Sequence, residues 1–423
     1  MNATTVDNLT AVGSCALRNN TTGTYNTALG SLSLRDNTTG QANTALGFQS
    51  MLLNTTGVRN TAVGRYSLRL NTTGVDNVAI GNQALSNNYA SCNTGVGTCA
   101  LQVNTTGIKN TAVGSKALRL NTTGCNNTAL GSYALTSNTT GINNTGLGAG
   151  ALRYNTTGNS NTAVGLASMQ NNTSGIRNTA IGMQSLVSNT IGLCNAALGY
   201  RALLANTTGC YNTGLGAGAL CCNTTGNNNT AVGRSALGAN TIGICNTAVG
   251  RYALFANTTG ILNTAVGTNA LNSNIVGSCN VAIGLQALFS NTANYNTAVG
   301  FQSLFGNTTG TSNTAVGLWS LKSNTTGNNN TAVGVSALQN NTTGILNTAL
   351  GVSSLANNLA SHNTAVGGYA LLFNTTGVGN TALGRSALQN NTTGASNTAV
   401  GRNALYNNTT GYNNTATGLY ALR

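Results

Sequence analysis

Few residues in this 423-residue chain carry side chains that could do chemistry. His362 is the one histidine, and Asp7, Asp36 and Asp76 are the three carboxylates. General acid–base and triad catalysis both need ionisable groups that converge. A lone histidine and three aspartates unpaired by spacing do not supply them, so no catalytic residue and no enzymatic activity are expected. The ten cysteines contain no C-x-x-C pair, and Cys221 and Cys222 are the only adjacent two. Their positions scatter, so neither a metal site nor a cofactor is expected. Cys194 and Cys210 come near the same loop of neighbouring repeats, where a disulfide is geometrically possible.

Two other groups of residues suggest recognition rather than catalysis. The "NTT" and "NTS" tripeptides fit the acceptor pattern for N-linked sugar. They include Asn20, Asn37, Asn54, Asn71, Asn104, Asn121 and Asn391. The pattern matters only where the chain meets a glycosylating machinery. Aromatic residues recur at one repeat position, as Tyr66, Tyr133, Tyr252, Trp319, Tyr369 and Tyr420, and "RY" stands at 65–66 and 251–252. An exposed aromatic beside an arginine stacks well on a sugar ring. That makes Tyr66, Tyr252 and Trp319 candidate contacts with a glycan. They lie several repeats apart, so scattered surface residues are the simpler reading.

Whatever positions these residues is built from a single sentence said over and over. Residues 110–126 read "NTAVGSKALRLNTTGCN", and the phrase returns along the whole chain. Counted from the Asn of "NTAVG" as position 1, 24 full copies run from 9 to 413, with partial copies at 1–8 and 414–423. The chain therefore reads as one continuous repeat array. Copies 77–92, 280–295 and 347–362 are one residue short, and each lacks the "TTG" signature. Position 5 is glycine in every copy, as in Gly13, Gly30, Gly47, Gly64, Gly81, Gly97, Gly114, Gly131, Gly148 and Gly165. Such regularity predicts a corner with positive φ, which only glycine adopts cheaply. The Gly of "NTTG", at position 15, predicts a second turn.

Two turn signals in 17 residues leave segments too short for helices. Stacked along an axis, the copies predict an all-β fold, a parallel β-solenoid with one turn per 17-residue repeat. At ~4.8 Å per turn the array would form a rod of roughly 120 Å. Stacking makes each repeat position a column of like side chains, and columns of Asn can bond amide to amide. The absence of proline fits a backbone whose N–H groups all enter ladders. Neighbours on a strand point to opposite faces. Pairs such as Ala112-Val113 and Ala117-Leu118 therefore imply that both faces are covered, which favours several chains packed together, with a flattened single-chain solenoid as the alternative.

Charge and hydropathy bound the partners. Seventeen basic and three acidic residues give a net charge of +14, without any basic run. This favours anionic partners only mildly and gives no support for nucleic-acid binding. No apolar stretch approaches the ~20 residues of a membrane span, and the first residues show no signal peptide.

The copies "NVAIG" at 77–81 and 280–284, with "NTAVG" and "NTALG" elsewhere, resemble the head repeats of YadA-type trimeric autotransporter adhesins. The longer "NTAVGxxALxxNTTG" form resembles repeat tracts of phage tail fibres and of large algal-virus surface glycoproteins. The resemblance spans essentially the whole chain. It implies a left-handed β-roll, three chains side by side, and attachment to host surfaces or matrix. The 17-residue repeat is longer than the adhesin head repeat, and no stalk or barrel anchor follows. The expectation is thus a structural fibre or filament shaft, extracellular or on a virion surface. It would self-associate as a homotrimer, end to end, or both, as a fragment of a longer chain or a free filament. The alternative is an adhesin that binds a host glycan or matrix protein through its variable positions.

Overall fold

The computed structural model describes residues 7–423; the opening partial copy falls largely on residues 1–6, outside them. Among the described residues, 25 strands of three residues each, and no helix, make up the regular structure. Every strand occupies positions 2–4 of a copy, for example Thr111–Val113. The residue types explain this. A β-branched Thr or Val and an aliphatic residue flank a small one, which suits a pleated surface, and the position-5 glycine stops the strand.

The chain groups into two compact units, Met1–Tyr211 and Asn212–Arg423. The first holds strands β1 (Thr10–Val12) to β12 (Ala196–Leu198), and the second holds β13 (Thr213–Leu215) to β25 (Thr415–Thr417). Within each unit consecutive strands pair in parallel and in register. Thr111 lies against Thr128 and Val113 against Leu130 in the first, and Thr247 against Thr264 in the second. The short copies keep this register, with Val281 between Thr264 and Thr297. Their missing residue is absorbed in the loop. The parallel β-solenoid expected from the repeat is the fold.

The backbone ladder extends well beyond the strands. In copy 110–126, Thr111, Leu118, Leu120 and Thr122 donate their N–H groups to the following turn. Gly114, Lys116 and Asn126 donate to the preceding one. With so many donors engaged per turn, a proline at any of these positions would cost a ladder bond.

The corner glycines behave as expected, and more. Position-5 glycines have φ between 125° and 138°. A Cβ on Gly114 would also lie 2.6 Å from the carbonyl carbon of Gly131, in the next turn. At position 15 the chain bends as the sequence suggests, at Thr122 and Thr123, but the glycine there meets a different need. Gly124 does not have positive φ; a Cβ there would collide with the carbonyl of Gly141 and the side chain of Asn121. Its glycine is required by close approach, not by turn geometry.

Three further positions per copy take left-handed backbone without glycine: in this copy Lys116 at 57°, Leu118 at 48° and Asn126 at 58°. Each such residue costs on the order of 1 kcal/mol, offset by the ladder bonds that both neighbouring turns provide. The geometry also corrects the reading of adjacent small and apolar pairs. Ala112 is buried and Val113 faces outward, as alternation demands. Ala117 and Leu118, however, are both fully buried. The left-handed turn at Leu118 breaks the alternation and sends both side chains inside. The position-4 column therefore presents an aliphatic side chain to the outside in turn after turn, as Leu130 does at 50% exposure.

Candidate functional site

The interior is a wall of apolar side chains and neutral amides. Each turn contributes Ala or another small residue at positions 3 and 8, Leu or Met at position 9, and Asn at positions 1 and 12. Among the described residues no cluster of three or more His, Cys, Asp or Glu could hold a metal ion. His362 stands alone on a loop. Asp36 pairs with Arg35 at 2.6 Å, and Asp76 with Arg59 at 2.7 Å. Cys194 is a thiol. The sulfur of Cys210 accepts the Leu193 N–H at 3.4 Å, a different use from the disulfide that spacing allowed.

The asparagines of the sugar-acceptor pattern are wall residues. Asn37, Asn54, Asn71, Asn104, Asn121 and Asn391 are fully buried, and Asn20 is 6% exposed. The side-chain nitrogen of Asn121 donates to Oδ1 of Asn104 at 2.8 Å and to the carbonyl of Gly124 at 2.9 Å. Its Oδ1 in turn accepts from Asn138 at 2.8 Å. Asn391 repeats the pattern in the second unit. A glycan on that nitrogen would remove a donor and would have to pass through the wall. A sugar at position 12 and a stacked turn are therefore mutually exclusive. The position-1 asparagines form a second column: the backbone N–H of Asn127 donates to Oδ1 of Asn110, and the amide of Asn110 caps the carbonyl of Gly124.

The aromatic candidates all lie on the outer surface, on one edge of the turn. Tyr66 packs edge-on against Phe48, at 5.6 Å between centroids. Arg65 lies 4.5 Å and Arg69 5.2 Å from the Tyr66 ring centre. Tyr252 packs against Phe255, with Arg251 at 5.0 Å and Arg234 at 5.9 Å from its ring. Trp319 has Lys322 at 5.3 Å. The rings expected to stack on sugars are thus already engaged by cations. Tyr133, not singled out for ligand contact, is held in the same way by Lys116 at 5.1 Å and Arg153 at 4.9 Å.

The cations were the missed signal. All but three of the 17 basic residues (Arg59, Lys109 and Arg177, at position 17) stand at position 6, 7 or 10. A search for basic runs along the chain does not see this, whereas a tally by repeat position does. In the second unit a shallow groove opens beside short copy 347–362, lined by Asn340, Asn357, Leu359, Phe373, Thr375 and Asn390.

Among the described residues no helix is long and apolar enough to cross a membrane. Neither the models of known protein families nor the curated proteins yield a match to this chain.

Proposed function

We propose that this chain is a structural shaft, a segment of a fibre or filament that works outside the cell or on a virion surface. The observation that carries the reading is repetition without convergence. The same register recurs from turn to turn within each unit, while ionisable groups are scarce and, among the described residues, form no cluster of three or more His, Cys, Asp or Glu. Such a ladder supplies stiffness and a regular outer surface and little else.

We further propose that copies associate laterally, as three chains side by side, through the position-4 column. Leu130, Ile181, Leu215 and Ile283 are each at least 40% exposed on that face. A contiguous apolar stripe on a water-facing sheet marks an interaction surface. The resemblance to trimeric adhesin heads supports the number three. Sedimentation tests the assembly: a mass near three times 42.4 kDa is expected, and a mass near 42.4 kDa at micromolar concentration would exclude it. Electron microscopy tests the shaft. Straight, uniformly thin particles support it, and compact particles would not.

A further inference from the structure

The edge formed by positions 6, 7 and 10 carries cations whose charge is unpaired and whose hydrogen-bonding capacity is mostly unused. In the first unit these include Arg65, Arg69, Lys116, Arg119 and Arg153. None is in an ion pair; among the described residues only Arg35 and Arg59 are. Rings hold four of these five side chains, and the acceptors they use are neutral: Arg65 donates to the Tyr66 hydroxyl at 3.1 Å, Lys116 to that of Tyr133 at 3.3 Å, and Arg119 to Oε1 of Gln102 at 3.0 Å. Arg65 and Arg69 lie over Tyr66, Lys116 and Arg153 flank Tyr133, and Arg153 also lies 5.2 Å from Tyr154. Nε of Arg69 is buried without a hydrogen-bond partner. A guanidinium held flat against an aromatic ring keeps its planar fork oriented, so less freedom is lost when a carboxylate or sulfate docks on it. The second unit repeats the arrangement with Arg234 and Arg251 around Tyr252.

We infer that this edge is a binding surface for an acidic polysaccharide, a chain with about one carboxylate or sulfate per sugar. Charge spacing selects the class. From the turn of Arg65 (60–76) to that of Arg153 (144–160) there are five inter-turn steps, or ~24 Å at the spacing of neighbouring strands. Five cations over that span average one per ~5 Å, about the length of one sugar ring, gathered on three turns (Arg65 with Arg69, Lys116 with Arg119, then Arg153) that lie ~14 Å and ~10 Å apart. Duplex DNA carries a charge every ~1.7 Å, far denser than the edge can match. Single-stranded nucleic acid is held by bases stacked on open aromatic faces, and the rings here are covered by cations. This surface is independent of the shaft reading: it requires no particular oligomer and no particular particle shape.

Binding to immobilised polygalacturonate at low salt tests it, with dextran, poly(dT) and duplex DNA as comparison ligands. The protein should bind polygalacturonate, release it as salt rises, ignore dextran and bind either nucleic acid more weakly. R69Q/K116Q/R153Q should lower the affinity by ~10-fold or more, because each lost cation also loses its released counterions. R59Q/K109Q/R177Q removes three charges from position 17 and should leave the affinity within about twofold. Equal losses from the two triple variants would reduce the effect to net charge and overturn the proposal. So would failure of the unaltered protein to bind polygalacturonate, or a preference for DNA. The ligand comparison uses the unaltered protein and stands even if a variant misfolds.

Discussion

The side-chain amide of Asn121 reaches back one turn to Oδ1 of Asn104, at 2.8 Å, while its own Oδ1 receives Asn138 from the turn ahead. All three of these asparagines are fully buried. Asn121→Ala strands the Oδ1 of Asn104 and one N–H of the Asn138 amide, while the carbonyl of Gly124 keeps the Asn110 amide. A buried group left without its partner costs ~1–3 kcal/mol, so two should cost a few kcal/mol. Thr123→Ala, on the exposed side of the same loop, should be near neutral. Thermal unfolding of the two variants checks the contrast.

Glycine at position 5 answers to both φ and space, so its replacement should be among the most damaging changes. Gly114→Ala forces an L residue to φ 131° and places a methyl 2.6 Å from the Gly131 carbonyl carbon. A loss above ~3 kcal/mol is expected. Gly150 has φ 68° and open space around its missing Cβ. Gly150→Ala should cost no more than ~1 kcal/mol. Protease resistance of the folded protein would report the difference.

Two leucines a few residues apart test which column makes the core. Leu135 is fully buried and Leu130 is half exposed. Leu135→Ala should destabilise by ~2–5 kcal/mol. Leu130→Ala should leave unfolding nearly unchanged and act instead on lateral association, lowering the sedimentation mass at a given concentration.

Acid should do little. The hydrogen bond from Arg35 holds the Asp36 carboxyl below its usual range, and Arg59 does the same for Asp76. A depressed carboxylate stabilises the fold above its unfolded pKa, and that contribution is lost only as pH falls through the lower folded value. Both aspartates are on the surface, and the wall is built of neutral amides. The melting temperature should stay flat from neutral pH to ~4 and decline only slightly below it. A steep loss between pH 7 and 5 would contradict this.

Mass spectrometry of folded protein from a glycosylating host gives the last test. Asn104, Asn121 and Asn391 should be unmodified in material that resists protease, with any sugar at these positions confined to material that is digested.

Much of the architecture was legible in the sequence because stacking turns positions into columns. The glycine of "NTAVG" announced its corner, and the asparagines announced their ladders. What period-2 reasoning could not see was Leu118. Its left-handed backbone puts two successive side chains inside, and no single residue type signals that at a leucine. The acceptor-pattern asparagines are ambiguous for a related reason: a tripeptide says nothing about which way its amide faces. The basic edge was visible in principle, but only to a count that follows the turn rather than the chain.

The unvarying register has a consequence for heredity. Each turn recognises its neighbours through the same few contacts, and even copies one residue short keep the strands aligned. A replication slip that adds or deletes one 17-codon repeat would therefore add or delete one whole turn and leave every remaining contact type in place. Copy number can drift between lineages without a folding penalty, which makes the dimension of the molecule a quantity that selection can adjust in single steps.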